Sequence, residues 1–273
     1  MEKNIDEAVK WLRKAAELGS QEAMLKLGNI MYPIDGSFSS LIEKSYHDGY
    51  NDAKAGKRNK YIKEDPKKVV NNTFDFGNVK VGSIIKFGNY PQNTKDKKEP
   101  IEWRVLAVKG GKALVISQYA LNRKVYNEKR ESTSWEKCTL RKWLNSDFLN
   151  SAFDSTERNL IQLSIVTADK NPEYGYVNQG NDTKDKIFLL SAKEAEQYFK
   201  NDEERKCNPT KFTVNNGAYK NDEGQCWWWL RSLGYSTHIA TIVLTVGSVG
   251  FRVNYVDLSI GSVRPALWIN LKS

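Results

Sequence analysis

Long apolar runs are missing from this chain of 273 residues, and no stretch approaches the roughly eighteen that a membrane-crossing helix needs. The first residues, MEKNIDEAV, also lack the basic-then-apolar build of a secretory leader, so a cytoplasmic protein is expected, with surface display through a partner as the alternative. Cysteine is scarce. Cys138, Cys207 and Cys226 are widely spaced, form no CxxC and have no neighbouring His, which points to reduced, packed thiols and away from a disulfide framework or zinc site. Histidine is scarcer still: neither His47 nor His238 has a nucleophile or carboxylate at a telling spacing. There is no P-loop, no GxGxxG and no carboxylate pair placed as an acid–base couple. No catalytic residue, metal or cofactor is therefore expected, and the protein does not read as an enzyme.

The most local absence is the most informative. The chain has 31 Lys, 18 Glu, 7 Gln and 3 Met, and none of these falls in the 32 residues 232–263. Buried strands are naturally poor in such residues, and "IATIVLTV-GS-VGFRVNYV" reads as a hairpin with a two-residue Gly247-Ser248 turn of type II′. Yet the segment also includes the loop-like "GYSTH" and "NYVDLSIGS", where Lys and Glu are usually welcome. Clean alternation is missing too, with Ile239, Ile242, Val243, Leu244 and Val246 falling on both faces of a strand. If one face only is buried, apolar side chains must face water, and an exposed apolar cluster marks a contact surface. Plain structure and recognition surface both stay open on composition.

What is present describes a globular protein with a core: 40% apolar, 11% aromatic. The net charge of +9 invites a nucleic-acid partner, but much of the excess lies between Lys54 and Lys98 in linker- and loop-like text, and no nucleic-acid-binding motif accompanies it. The first thirty residues read as two helices. Ile5, Ala8, Trp11, Leu12, Ala15 and Ala16 share one face, Asn4 and Glu7 make a box-like cap, Gly19 ends the helix, and Ala23, Leu27 and Met31 mark the second. This text resembles one Sel-type unit of the tetratricopeptide-like solenoids, over 1–33. A basic linker follows over 34–75, and a compact domain over 76–273. Within that domain "VKVGSIIKFGNYPQ" and "IEWRVLAVKGGKALVISQYAL" read as strands, the second folded at Gly110-Gly111. "TLRKWLNSDFLNSAF" puts Leu140, Trp143, Leu144, Phe148 and Leu149 on a helical stripe, and Ser191 with Glu194 caps another helix.

The phrases "VGSIIKFGNYPQ", "EPIEWRVLAV", "CTLRKWLNSDFLNSAF", "KIFLLSAKEAEQYF", "WWLRS" and "VRPALWINL", in this order over 77–271, resemble a bacterial domain of unknown function. That domain is similar to the formylglycine-generating-enzyme type of C-type lectin fold, whose members include the variable proteins of diversity-generating retroelements. The resemblance implies an α+β, C-type lectin-like domain behind a short helical hairpin. It also implies a codon rule, because those retroelements miscopy template adenines. Altering only the adenines of an Asn codon ending in C or T reaches fifteen residue types and never Lys, Glu, Gln, Met or Trp. Every residue of 232–263 belongs to the permitted set. The enzyme's paired-cysteine motif is not matched by Cys207 or Cys226, and the calcium-site loops of sugar-binding lectins are absent, so neither chemistry carries over.

The expected device separates frame from reader. Trp227, Trp228, Trp229, Arg231, Arg264, Pro265 and Trp268 would anchor the two ends of the segment. Tyr235, Thr237, His238, Ile239, Ile242, Leu244, Phe251, Arg252, Asn254, Tyr255, Asp257, Leu258 and Ile260 would face outward and bind a protein or peptide through a largely apolar, aromatic contact. The alternatives are a non-diversified adaptor that recruits a protein through the Sel-type unit, and, more distantly, a formylglycine-type enzyme.

Overall fold

The structure, a computed structural model, describes residues 76–271. The helical unit expected over 1–33 and the linker over 34–75 lie outside the described residues, as does the side chain of Arg252. The chain divides into two compact units, Met1–Asn71 and Asn72–Ser273, and the described residues all belong to the second.

The first sheet of this unit joins its beginning to its end. Strand β1 (Ile84–Pro91) pairs with β2 (Lys98–Lys109), β2 with β3 (Lys112–Ser117), and β3 with the C-terminal β11 (Ala266–Asn270), all antiparallel. The β2–β3 hairpin turns at Gly110 and Gly111, at φ +58° and +73°, the left-handed pair that a tight hairpin requires and that the sequence placed there. Ile85, Phe87, Ile101, Trp103, Val105, Leu114 and Ile116 carry the buried side of this sheet. The Trp103 indole donates to the Phe87 carbonyl at 2.7 Å, which satisfies the one polar atom of that buried ring.

A second sheet holds the segment in question. Strands β4 (Asn122–Arg123), β7 (Trp228–Leu233), β8 (Ile239–Val243), β9 (Val249–Tyr255) and β10 (Ser262–Val263) lie in the order β4-β10-β7-β8-β9, with β10 parallel to β7. A small ribbon pairs β5 (Ser164–Val166) with β6 (Thr183–Asp185). Helix α1 (Thr139–Trp143) runs through a π turn (Leu144–Phe148) into α2 (Leu149–Ala152), burying Leu140, Leu144, Phe148 and Leu149 and half-burying Trp143, the stripe read from spacing. Short helices α3 (Ser155–Leu160), α4 (Ala192–Tyr198), α5 (Asp202–Arg205) and α6 (Lys211–Asn215) complete the unit. In α4 the expected capping box is formed by Ser191 and Glu194. The architecture is α+β.

Two details depart from the sequence reading. The β8–β9 connection is not a two-residue type II′ turn. Leu244 N donates to Ser248 O and Gly247 N to Leu244 O, each at 2.9 Å, so Thr245, Val246 and Gly247 form a three-residue loop with Gly247 at φ +91°. A Cβ on Gly247 would stand 1.8 Å from the Asp202 carbonyl oxygen, so only glycine lets the loop close against α5. The missing alternation also has a plain cause. Every residue of β7 and β8 is buried, so both faces of these two strands are covered and apolar residues suit either one.

Candidate recognition surface

The segment is gripped at its start by β7. Trp228 and Trp229 are wholly buried, with their indole N–H groups on the carbonyls of Arg205 (3.2 Å) and Lys124 (2.9 Å). Trp227 packs edge-on against Trp229 at 5.0 Å. Arg231 is buried between Asp169 (3.1 Å) and Glu194, and also donates to the carbonyls of Thr167 and Leu189. Glu194 thereby caps α4 and neutralises the guanidinium at once. At the far end Arg264 is buried over the rings of Phe199 and Trp228, with Nε donating to Ser117 O at 2.8 Å. Pro265 is buried and Trp268 half-buried on the core. All seven expected frame residues pack as frame.

Between these grips the chain surfaces at one end of the sheet. The β7–β8 loop and the end of β9 lie together there, because Ile239 pairs with Tyr255 across the antiparallel β8–β9 ladder. Backbone bonds lace this end to a neighbouring loop: Thr133 N to Thr237 O (3.1 Å) and Asn127 N to Val256 O (2.8 Å). Tyr235 is 44% exposed and Tyr255 47%, and His238 is also exposed, whereas Ile260, 37% exposed, lies toward the opposite end, because Ser262 pairs with Trp228 at the start of β7. Thr237 is half-buried and accepts from the Ser132 hydroxyl at 2.9 Å. Arg130 lies over the Tyr255 ring at 4.1 Å and donates to both oxygens of Asp257, which holds that tyrosine in place. Asn254 is half-buried.

The structure corrects part of the expected reader. Ile239 and Ile242, at 3% and 1% exposure, face inward, because β8 is an interior strand between β7 and β9. Leu244 sits in the β8–β9 loop at the other end of β8, about 16 Å of strand away, and is half-buried on the core. Phe251 and Leu258 are likewise half-buried against the core.

The structure also adds residues that the sequence reading missed. The 171–181 loop brings Tyr174 and Tyr176 beside Tyr235: the Tyr174 ring stands 6.2 Å from Tyr235 and 6.1 Å from Tyr176, edge to face in both cases. Tyr176 is the most exposed large side chain of the group, at 77%. The text "NPEYGYVNQGND", with two tyrosines in turn-forming residues, carried that signal. Tyr219, 46% exposed, lies apart from these rings, its N–H on Ile260 O at 3.4 Å. The result is a tyrosine-rich face on a laced base, suited to burying a partner's apolar surface and accepting or donating hydrogen bonds at its rim.

The three cysteines separate in kind. Cys138 is buried, and burial pushes its thiol up to about 12, which makes it inert. Cys207 and Cys226, nineteen positions apart, face each other across an isolated antiparallel bridge that sequence spacing did not reveal. Burial also raises the Tyr126 phenol, whose hydroxyl donates to Arg231 O at 2.7 Å. Among the described residues no group of three or more His, Cys, Asp or Glu is placed to hold a metal ion, and no helix is long and apolar enough to cross a membrane.

A family profile described as a domain of unknown function, DUF6273, matches residues 110–271, which takes in the whole of this face. No curated protein and no solved structure matches the chain.

Proposed function

The chain belongs to the DUF6273 family, and from its geometry we propose that the domain is a non-catalytic, ligand-binding module with a C-type lectin-like fold, displaying a diversified surface as the variable protein of a diversity-generating retroelement. The observation that carries this reading is the division of the segment itself. Its ends are locked by buried Trp and Arg side chains, while Tyr235, His238 and Tyr255 stand out at one end of the sheet. Side chains that nothing in the core depends on can be replaced without unfolding the frame. The α+β build supports the fold that the resemblance implied. The face is aromatic, lysine-free within the segment and rigidly backed, so its partner is a protein or peptide rather than nucleic acid.

The second reading, a non-diversified adaptor, is favoured by one observation: burial of β7 and β8 on both faces accounts for the composition of those strands without any codon rule. It leaves the exposed loop positions unexplained. The distinguishing experiment is to sequence the DNA around the gene. The diversified reading requires an imperfect repeat of the 232–263 coding sequence beside a reverse-transcriptase gene, differing only at template adenines. Differences spread over all four bases remove it.

A further inference from the structure

Cys207 and Cys226 stand directly opposite each other, with Cys226 N donating to Cys207 O at 2.8 Å. Directly opposed residues on antiparallel chains put both side chains on one face, with Cα atoms about 4.5–5.5 Å apart, inside the range a disulfide spans. Both thiols are free and buried, yet their bridge lies outside the named strands and beside the exposed Asn208.

Their surroundings are unusually polar for an interior. The fully buried guanidinium of Arg264 acts on both sulfurs. It donates to the carbonyls of Ser117 and Arg205, and among the described residues no carboxylate is within ion-pair distance of it. The buried Ser262 hydroxyl lies beside Cys226 with no other partner, and the Gln118 side-chain oxygen is buried and unpartnered nearby, on the residue whose backbone carbonyl is 3.9 Å from the Cys207 sulfur. A buried cation without a counter-charge is strongly disfavoured. The groups set beside it are the Cys207 and Cys226 sulfurs. Burial alone would raise the Cys207 thiol, but the hydrogen bond from Cys226 and the Arg264 charge bring it down to about 7, while Cys226 is held well above its ordinary value.

We propose that Cys207 and Cys226 are a redox-active pair in which Cys207 is oxidised by hydrogen peroxide and then captured by Cys226 as a disulfide. The Cys207 sulfur gives up its proton and attacks one peroxide oxygen, the O–O bond breaks, and the hydroxide that leaves takes up that proton to become water. The Cys226 sulfur then attacks the sulfenic sulfur, the S–O bond breaks, and the departing hydroxide leaves with the Cys226 proton as a second water. Two electrons pass from the sulfur pair to the peroxide, and a dithiol reductant returns them. The bond closes the loop that carries α6 and fastens the entry to β7. The proposal does not depend on the segment being diversified.

The test is peroxide treatment of the folded full chain, followed by denaturing alkylation and peptide mass analysis. A Cys207–Cys226 linked peptide, two hydrogens lighter than the reduced pair, is expected, with Cys138 still alkylated. Cys207 should react on the order of tenfold or more faster than Cys138, whose thiol is neutral. Cys226→Ser should stop at a sulfenic acid on Cys207 that a 1,3-diketone probe traps, and Arg264→Lys should keep the charge and retain the reaction. Equal oxidation of Cys207 and Cys138 in the wild-type chain, or oxidation without the 207–226 link, overturns the proposal. The wild-type measurement stands even where a variant fails to fold.

Discussion

Asn171 donates its side-chain amide to the carbonyl of Leu233 at 2.8 Å, and Gln179 accepts from the N–H of the same residue at 2.7 Å. Two buried amides from one loop thus close both backbone groups at the last position of β7. The loop they hold carries Tyr174 and Tyr176, so the grip on the segment and the placing of those rings are one arrangement.

Asn171→Ala is expected to leave the Leu233 carbonyl buried without its partner. The loss should be about 1–3 kcal/mol, or several degrees in Tm. Hydrogen exchange should rise locally across 171–181, and a uniform rise over the unit would mean that the amide serves the core as a whole.

Gly261→Ala should be far more damaging than a change on the face itself. A Cβ there would stand 2.0 Å from the Trp229 indole nitrogen, which is already committed to Lys124 O, so a loss of roughly 2–3 kcal/mol is expected. Tyr235→Ala should fall within about 0.5 kcal/mol of wild type in the same thermal melts.

Arg231→Gln removes the charge between Asp169 and Glu194 and is expected to destabilise by about 3–5 kcal/mol, since two carboxylates are left without their buried cation. Arg130→Gln breaks a surface pair with Asp257 and an exposed stacking contact over Tyr255, and should cost about 1 kcal/mol. Chemical denaturation of the two variants side by side checks the ranking.

Much of this was legible in the sequence where local rules act alone. The Gly110-Gly111 hairpin, the Leu140–Leu149 stripe and the Ser191–Glu194 cap each depend on residues close in the chain, and each is present. The frame was legible too, because Trp and Arg at fixed ends have few places to go but inward. The reader was legible only in part. Ile239 and Ile242 read as outward because strand periodicity assumes one solvated face, and nothing local reports that β8 is covered on both. Leu244 was separated from its supposed neighbours by strand direction, a property of the fold. The Tyr174–Tyr235 contact and the Cys207–Cys226 bridge join distant parts of the chain, which no spacing rule reaches.

The buried thiol of Cys138 should make the protein sensitive to alkali. Its value is raised by burial to about 12 from an ordinary 9.0, so the folded state keeps a proton that the unfolded chain gives up. Stability from this group is whole below pH 9 and declines as pH rises from 9 toward 12. Cys138→Ala should lower stability near neutrality, since its sulfur accepts from Arg141 N, yet reduce the alkaline slope by up to about 1.4 kcal/mol per pH unit. An unchanged slope would assign the alkaline loss to Tyr126 and Cys226 instead.

The most direct measurement is a library in which codons 235, 237, 238, 255, 257 and 260 are randomised together and the fraction of protease-resistant, folded clones is counted. If these side chains are free of the frame, most clones should fold with melting temperatures near the parent, whereas a matched library at Ile239 and Ile242 should lose most of its members. Collapse of the first library to the level of the second would contradict a surface that can vary while its scaffold stands.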